Sequence, residues 1–492
     1  MPCGYAPRQP QETALWKIVR DHLGDFFRYV REHYAAPIPN YVKQALSDYL
    51  RCGDFNYGFA LCECDHCNHQ VMVAFSCKQR TTCPSCASRR MCSEAAHITD
   101  RVLPNVPIRQ WVLSLPMELR GLCATDPVVM TAMNRIFTEE VSRRYKKECG
   151  EESHPGSISC LQRFGGSLNL NVHIHSIFLD GAFASRGESL TFAEAPVPTQ
   201  EEIHTLVVRI HTRAIKWLRR HGYMKEKDGD GIDPTPLQAM TQLAMSGGNF
   251  LESEPDAHEK DEHRQTRSRL FAATYEHFDL HCGVCIKKND DAGREKLVRY
   301  CARPVLALDR LEILPDGNIS YRVKYSRRGR THRIMTPIEF IARLAILIPP
   351  PFYPLIRYAG ILGPGAKLRD RVIPKPCLRR VASGEVIELP EREKKKKEKC
   401  KNSNADLVLV KEPEPTEWNM ITLSHWERLG NGALVAATRT LDWRTLLART
   451  FGPDVLKCPK CNGRLRVVAT VVDRNIARQI LARVKQARDP PS

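Results

Sequence analysis

The segment LNLNVHIHSIFL (168–179) alternates apolar and polar side chains over most of its length. Successive side chains of a strand point to opposite faces. Leu168, Leu170, Val172, Ile174 and Phe178 therefore share one face of a β-strand, and Asn169, Asn171, His173 and His175 the other. Imidazoles at i and i+2 stand about 7 Å apart along the strand. Such a pair grips one divalent cation when a neighbouring strand supplies a third ligand. A histidine pair on a strand is by default a chance surface feature; here the regularity of both faces, with Asn169 and Asn171 continuing the polar row, favours a site. A second strand, FDLHCGVCI (278–286), puts His281 on the face opposite Leu280, Cys282, Val284 and Ile286. His281 is the first choice as third ligand and Gln162 the second. Three protein ligands leave positions open for water and substrate, as a Lewis-acid site requires.

Outward from these strands the chain mixes helical and extended patterns. Residues 12–51 place Leu15, Ile18, Val19, Leu23 and Phe26 at helical spacing. VPIRQWVLSLP (106–116) reads as a strand and 126–148 as a helix. Thr199 and Glu202 form a capping box for a helix with Ile203, Leu206, Val207, Ile210, Ala214, Trp217 and Leu218 on one stripe. A helix over about 291–302 ends before Pro304, a hairpin turns at Pro315–Asn318, and 337–347 reads as a buried helix. Residues 224–268 are polar and punctuated by Gly and Pro, so they read as an insertion; KDGDGID (227–233) lacks the glutamate of a calcium loop.

The chain holds nineteen cysteines, eight of them between Cys52 and Cys92. Cys64-x2-Cys67, fifteen residues, then Cys83-x2-Cys86 is the spacing of a four-thiolate zinc ribbon. Buried thiols would not need paired spacing. Such a site is closed and structural, and it presents the basic residues around it. Lys78, Arg80, Arg89 and Arg90 border the second knuckle and are candidate phosphate contacts. Cys52, Cys62 and Cys77 lie nearby, as alternative ligands or as packed thiols. Cys458 and Cys461 are half a site, which needs ligands from elsewhere in the chain or from a second chain.

Charge and composition bound the function. Lys and Arg exceed Asp and Glu by 74 to 56, and the run EREKKKKEKCK (391–401) accounts for only a small part of the +18. A surplus of that size points to a polyanionic partner, most often nucleic acid. The 42% hydrophobic, 26% charged composition is globular, no run of apolar residues is long enough to span a bilayer, and no signal peptide is visible. Tyr300, in REKLVRYCARP (294–304), is flanked by Arg299 and Arg303. A helical tyrosine ordinarily packs; beside two guanidinium groups and a metal face it is a candidate nucleophile for phosphorus.

Taken in order, SCKQRTTCPSCASRRM, VPIRQWVLSLP, QRFGGSLNLNVHIHSIFLDG, DLHCGV, RYCARPVLALDRLEILPDGNISYRVK, PIEFIARLAILIPPP and the terminal CPKCNGRLRVVA resemble the insertion-sequence-91 family of rolling-circle transposases over roughly 12–375 and 435–475. The resemblance implies an N-terminal zinc-binding domain and an HUH (His-hydrophobe-His) nuclease core: an α+β fold with a ferredoxin-like antiparallel sheet and helices on one face. It implies that His173 and His175 hold Mg²⁺ or Mn²⁺, that Tyr300 attacks single-stranded DNA at a transposon end to leave a 5′-phosphotyrosine and a free 3′-OH, and that the zinc domain helps recognise terminal DNA. Two-tyrosine members carry a second tyrosine four residues before the one matching Tyr300; here that position is Lys296, so the chain resembles the single-tyrosine branch. Second strand transfer then falls to another chain or to a distant residue such as Tyr358.

The expected organisation is an N-terminal helical and zinc-binding unit (1–105), a catalytic unit (106–375), a basic linker (376–415) and a small zinc-knuckle-like C-terminal unit (416–492). A bacterial, cytoplasmic, nucleoid-associated DNA strand-transferase is the first reading, with the oligomeric state open and a homodimer included. A non-catalytic zinc-ribbon DNA-binding protein (a regulator or an inactive copy) is the second. An RNA-binding scaffold fits least, because at 7% aromatic the chain has no aromatic-rich basic motif.

Overall fold

The computed structural model describes residues 9–186, 189–224, 237–241, 270–327, 330–374, 379–380, 386–387, 446 and 457–488. Most of the insertion at 224–268, most of the linker at 376–415 and all of 416–456 but Leu446 lie outside the described residues.

At the centre is a six-stranded antiparallel sheet. Its strands are β3 (Ile108–Ser114), β4 (Gly156–Phe164), β5 (Leu170–Leu179), β8 (Ala272–Tyr275), β9 (Phe278–Ile286) and β13 (Ile356–Gly360), in the order β13-β4-β5-β3-β9-β8. β4 and β5 form a hairpin, whereas α5 (Pro127–Cys149) crosses from β3 to β4 and α6 (Gln200–Arg220) lies between β5 and β8. Both crossover helices cover the face that carries Val172, Ile174 and Phe178: Phe137 and Tyr145 of α5 meet the Phe178 ring at 6.5 and 5.8 Å.

The opposite face, which holds His173 and His175, is also covered. It packs against α3 (Pro84–Arg101) through Ala95 and Ile98, and against α7 (Asp291–Cys301) through Leu297, Val298 and Cys301. Helices on one face only is therefore corrected to helices on both. The polar row of the sequence is a buried row: Asn171 is partly buried, His173 is 8% exposed and His175 4%.

The N-terminal helical pattern is two helices, α1 (Ala14–His33) and α2 (Asn40–Leu50), which pack on the same core as α8 (Pro337–Leu347). The capping box forms, with Thr199 Oγ1 accepting from Glu202 N and Glu202 Oε2 accepting from Thr199 N. Thr199→Ala is expected to lower stability by about 1 kcal/mol, read in a thermal melt.

A second, three-stranded sheet joins the two ends of the chain. β1 (Phe59–Cys64) pairs on one side with β2 (Gln70–Ala74) and on the other with β14 (Leu465–Val471). The described part of the expected C-terminal unit thus belongs to the N-terminal one. The physical reason is that a two-stranded ribbon leaves one edge of β1 with unsatisfied backbone groups, which β14 pairs.

Candidate metal and nucleophile site

Register builds the site. On β5, His173 faces Gln162 of β4 and Ser114 of β3, and His175 faces Cys160 and Val112. The two imidazoles stand edge to face with centroids 4.8 Å apart. The Nδ1 of His173 lies 2.8 Å from the carbonyl oxygen of Asn171, which holds the proton on Nδ1 and leaves the Nε2 lone pair outward. The Nδ1 of His175 lies 2.9 Å from Gln110 Nε2, and its Nε2 is buried with no hydrogen-bond partner among the described residues. Burial, opposed by the Asn171 carbonyl and helped by Arg303 and Arg120, lowers the His173 pKa to about 4. Burial, then His173 and Arg303, lowers His175 to about 2. Both rings are neutral near pH 7, as a metal ligand must be; for His175 to ligate through Nε2, the Gln110 amide must turn so that its oxygen accepts from Nδ1.

Gln162, the second-choice third ligand, sits opposite His173 on β4. Its Nε2 donates to the carbonyls of Tyr300 (3.1 Å) and Cys301 (2.7 Å), and its Oε1 is buried without a hydrogen-bond partner among the described residues. Two neutral imidazoles and an amide oxygen suit a borderline-to-hard divalent ion. His281, the expected third ligand, is not part of this group. It pairs in register with Val112, so β3 stands between it and β5. Among the described residues no His, Cys, Asp or Glu joins His173 and His175 within ligand range.

Tyr300 is the penultimate residue of α7, a helix started by the Asp290 side chain accepting from Gly293 N. Its ring stands perpendicular to that of His175, with centroids 5.6 Å apart, and is 44% exposed. The Arg303 guanidinium lies 5.2 Å above the Tyr300 ring and 5.3 Å from that of Phe164. Arg299 is ion-paired along the helix with Glu295, and Lys296, one turn before Tyr300, is exposed.

The cysteines form two groups, not one. Cys83 and Cys86, at the start of α3, converge with Cys52 and Cys77; Cys64 and Cys67 converge with Cys458 and Cys461. The expected site of Cys64, Cys67, Cys83 and Cys86 is corrected accordingly. In the first group Cys52 and Cys86 stand 3.8 Å apart, Cys77 and Cys86 3.7 Å, and Cys52 and Cys83 3.6 Å. Four sulfurs at 2.3 Å from a tetrahedral zinc ion are about 3.8 Å apart. The spacing and the soft donors fit structural zinc. Hydrogen bonds from Cys52, Cys77 and Cys83 pull the Cys86 thiol down towards thiolate, against its burial.

Comparison with known proteins finds two family models and one curated relative. A family model described as "Transposase zinc-binding domain" matches residues 18–115. A second, described as "Putative transposase", matches residues 156–370. A protein of Sinorhizobium fredii carrying that second description is 23% identical over 355 residues, which cover 69% of this chain and 80% of its own length. The chain belongs to the insertion-sequence-91 transposase family. No solved structure matches it.

In this transposase the matched zinc-binding window contains one complete thiolate group and half of the other. A cleft of about 240 Å³ opens between the two matched regions, lined by Arg80 and Arg90 from the zinc-binding side and by Gln162, Arg303 and Tyr358 from the other. Lys78, Arg89 and Arg90 are exposed, whereas Arg80 Nη1 donates to the Tyr353 carbonyl and so is tied to the fold. No helix among the described residues is long and apolar enough to cross a membrane. Sequence reasoning missed Gln110, which touches both His175 and the Cys301 sulfur (3.2 Å). A glutamine on a strand carries no spacing signal that would have singled it out.

Proposed function

We propose that this transposase cuts and joins single-stranded DNA through Tyr300, in rolling-circle transposition. The observation that carries the reading is the 5.6 Å approach of the Tyr300 ring to His175, at the open end of a donor set otherwise buried. The order β4-β5-β3-β9, with helices between β3 and β4 and between β5 and β9, supports a ferredoxin-like HUH core.

His173, His175 and Gln162 would hold a divalent ion, Mg²⁺ or Mn²⁺. When bound, such an ion polarises a phosphoryl oxygen and offsets charge that develops on it. The chain's own residues do the rest. The Oη of Tyr300 attacks phosphorus, the P–O3′ bond breaks, the tyrosyl proton passes to solvent and the departing 3′ oxygen takes up a proton. The products are a 5′-phosphotyrosine and a 3′-OH. Arg303, stacked on the tyrosine, brings a fixed positive charge beside the reacting phosphate. The Gln162 amide, by gripping the carbonyls of residues 300 and 301, holds the end of α7 over the donor set. Lys296 cannot supply a second phosphotyrosine, so a second strand transfer needs Tyr300 of another chain or a different residue.

The test is incubation with single-stranded DNA carrying an element end and Mn²⁺, followed by a denaturing gel. A covalent protein–DNA adduct is expected. It should fall by more than about 100-fold in His173→Ala, since second-shell partners alone cost 10–100-fold. Absence of any adduct on every terminal sequence tried would favour the non-catalytic DNA-binding reading.

A further inference from the structure

We infer that Cys64, Cys67, Cys458 and Cys461 hold a second zinc ion, which latches the end of the chain onto the N-terminal unit. The two halves of this site are the same motif used twice: CDHCN at 64–68 and CPKCN at 458–462. Their backbones match. Asn68 and Asn462 both take the left-handed conformation, with φ of 53° and 61°. Asn68 N donates to the Cys64 carbonyl and Asn462 N to the Cys458 carbonyl, each at 3.0 Å. Backbone N–H groups point at sulfur in each half: His66 N at Cys64 Sγ and Lys460 N at Cys458 Sγ, both at 3.4 Å. Such N–H···S bonds favour the thiolate, the form that ligates metal.

The halves meet face to face. Cys64 and Cys461 sulfurs are 3.5 Å apart and those of Cys67 and Cys458 3.6 Å, close to the edge of a ZnS₄ tetrahedron. The contact is too close for a side chain at Gly463, where a Cβ would lie 2.9 Å from His66 Cβ and 3.0 Å from Cys64 Sγ. Four thiolates leave no position for water, so the site is structural and takes no part in the chemistry at Tyr300.

Apolar packing alone does not account for the junction. The buried cluster here is Cys62, Cys64, Cys458 and Leu465, and Val467 and Val468 of β14 are 42% and 53% exposed. So small a core ordinarily needs a metal or a disulfide to hold it. What the latch holds is a basic helix, α9 (Arg474–Arg488), with five Lys or Arg and no Asp or Glu. Its Arg474 guanidinium lies 4.7 Å over the Tyr57 ring of the N-terminal unit.

Metal content of the purified full chain, by plasma mass spectrometry, tests the assignment. Two zinc ions per chain are expected, one for each thiolate group, and one in the double variant Cys458→Ser, Cys461→Ser. Two zinc ions in that variant, one in the wild type, or iron in place of zinc would each overturn it. The latch is read separately, in a chain with a protease site inserted after Asn402 and a C-terminal tag. After cleavage the tagged fragment should co-elute with the body. In the double variant, whose body keeps its other zinc, it should elute alone; continued co-elution there would sink the latch.

Discussion

Tyr300→Phe is expected to abolish the covalent protein–DNA adduct while leaving the fold and DNA binding in place. The phenylalanine ring keeps the edge-to-face contact with His175 and the stacking of Arg303. Because Tyr300 is 44% exposed, loss of its hydroxyl should move stability by no more than about 0.5 kcal/mol. Strand cleavage, by contrast, loses the proposed nucleophile and should drop by about 10⁴-fold or more, below detection on a gel. The binding titration and the cleavage assay on one preparation separate these effects. Tyr358→Phe is the matched control: Tyr358 lies on β13, paired with Ile158, on the far side of β4 from β5. An adduct that survives in Tyr300→Phe and disappears in Tyr358→Phe would move the nucleophile to the sheet edge.

The second large effect is on stability. Asp180 is buried and accepts from Arg109 twice, Nε at 2.9 Å and Nη2 at 2.8 Å, and from the Tyr145 hydroxyl at 3.0 Å. That hydroxyl in turn accepts from Trp111 Nε1 at 3.1 Å, and Arg109 Nη1 donates to the Cys282 carbonyl. The group ties β3, α5, β9 and the end of β5 together. Asp180→Ala leaves a buried guanidinium without its counter-charge, so a loss of about 3–5 kcal/mol is expected in denaturant unfolding. Removing both charges, as Arg109→Met with Asp180→Leu, should cost far less, because the larger part of that penalty is the stranded charge. Equal losses in the single and double variants would mean that packing dominates.

Local periodicity carried most of the site into view. The alternation at 168–179 places His173 and His175 on one side of β5 whatever surrounds it, and the Thr199–Glu202 box starts α6 from four residues. Non-local pairing did not come into view. His281 has the signature of a strand histidine, but nothing in the sequence says that β3 inserts between its strand and β5. Gln162 owes its place to β4–β5 register, which follows from the hairpin and not from any motif. The thiolates show the same limit. CxxC spacing is a property of one turn, and the nearest pair in sequence was the natural partner for Cys64 and Cys67. Cys83 and Cys86 are instead satisfied by Cys52 and Cys77, which stand singly and have no spacing signature.

The separation between Cys67 and Cys458, 391 residues, also sets a clock. At about 5–20 residues per second, the ribosome needs roughly 20–80 s to supply the second half of that thiolate group after the first. The complete group at Cys52, Cys77, Cys83 and Cys86 is available to metal almost from the start of synthesis, whereas Cys64 and Cys67 wait as bare thiols until translation is nearly over. β1 likewise offers an unpaired edge for that whole interval. A truncated message therefore yields a protein with the transposase-matched region 156–370 intact but with one edge of the N-terminal sheet open, the kind of edge on which nascent chains aggregate.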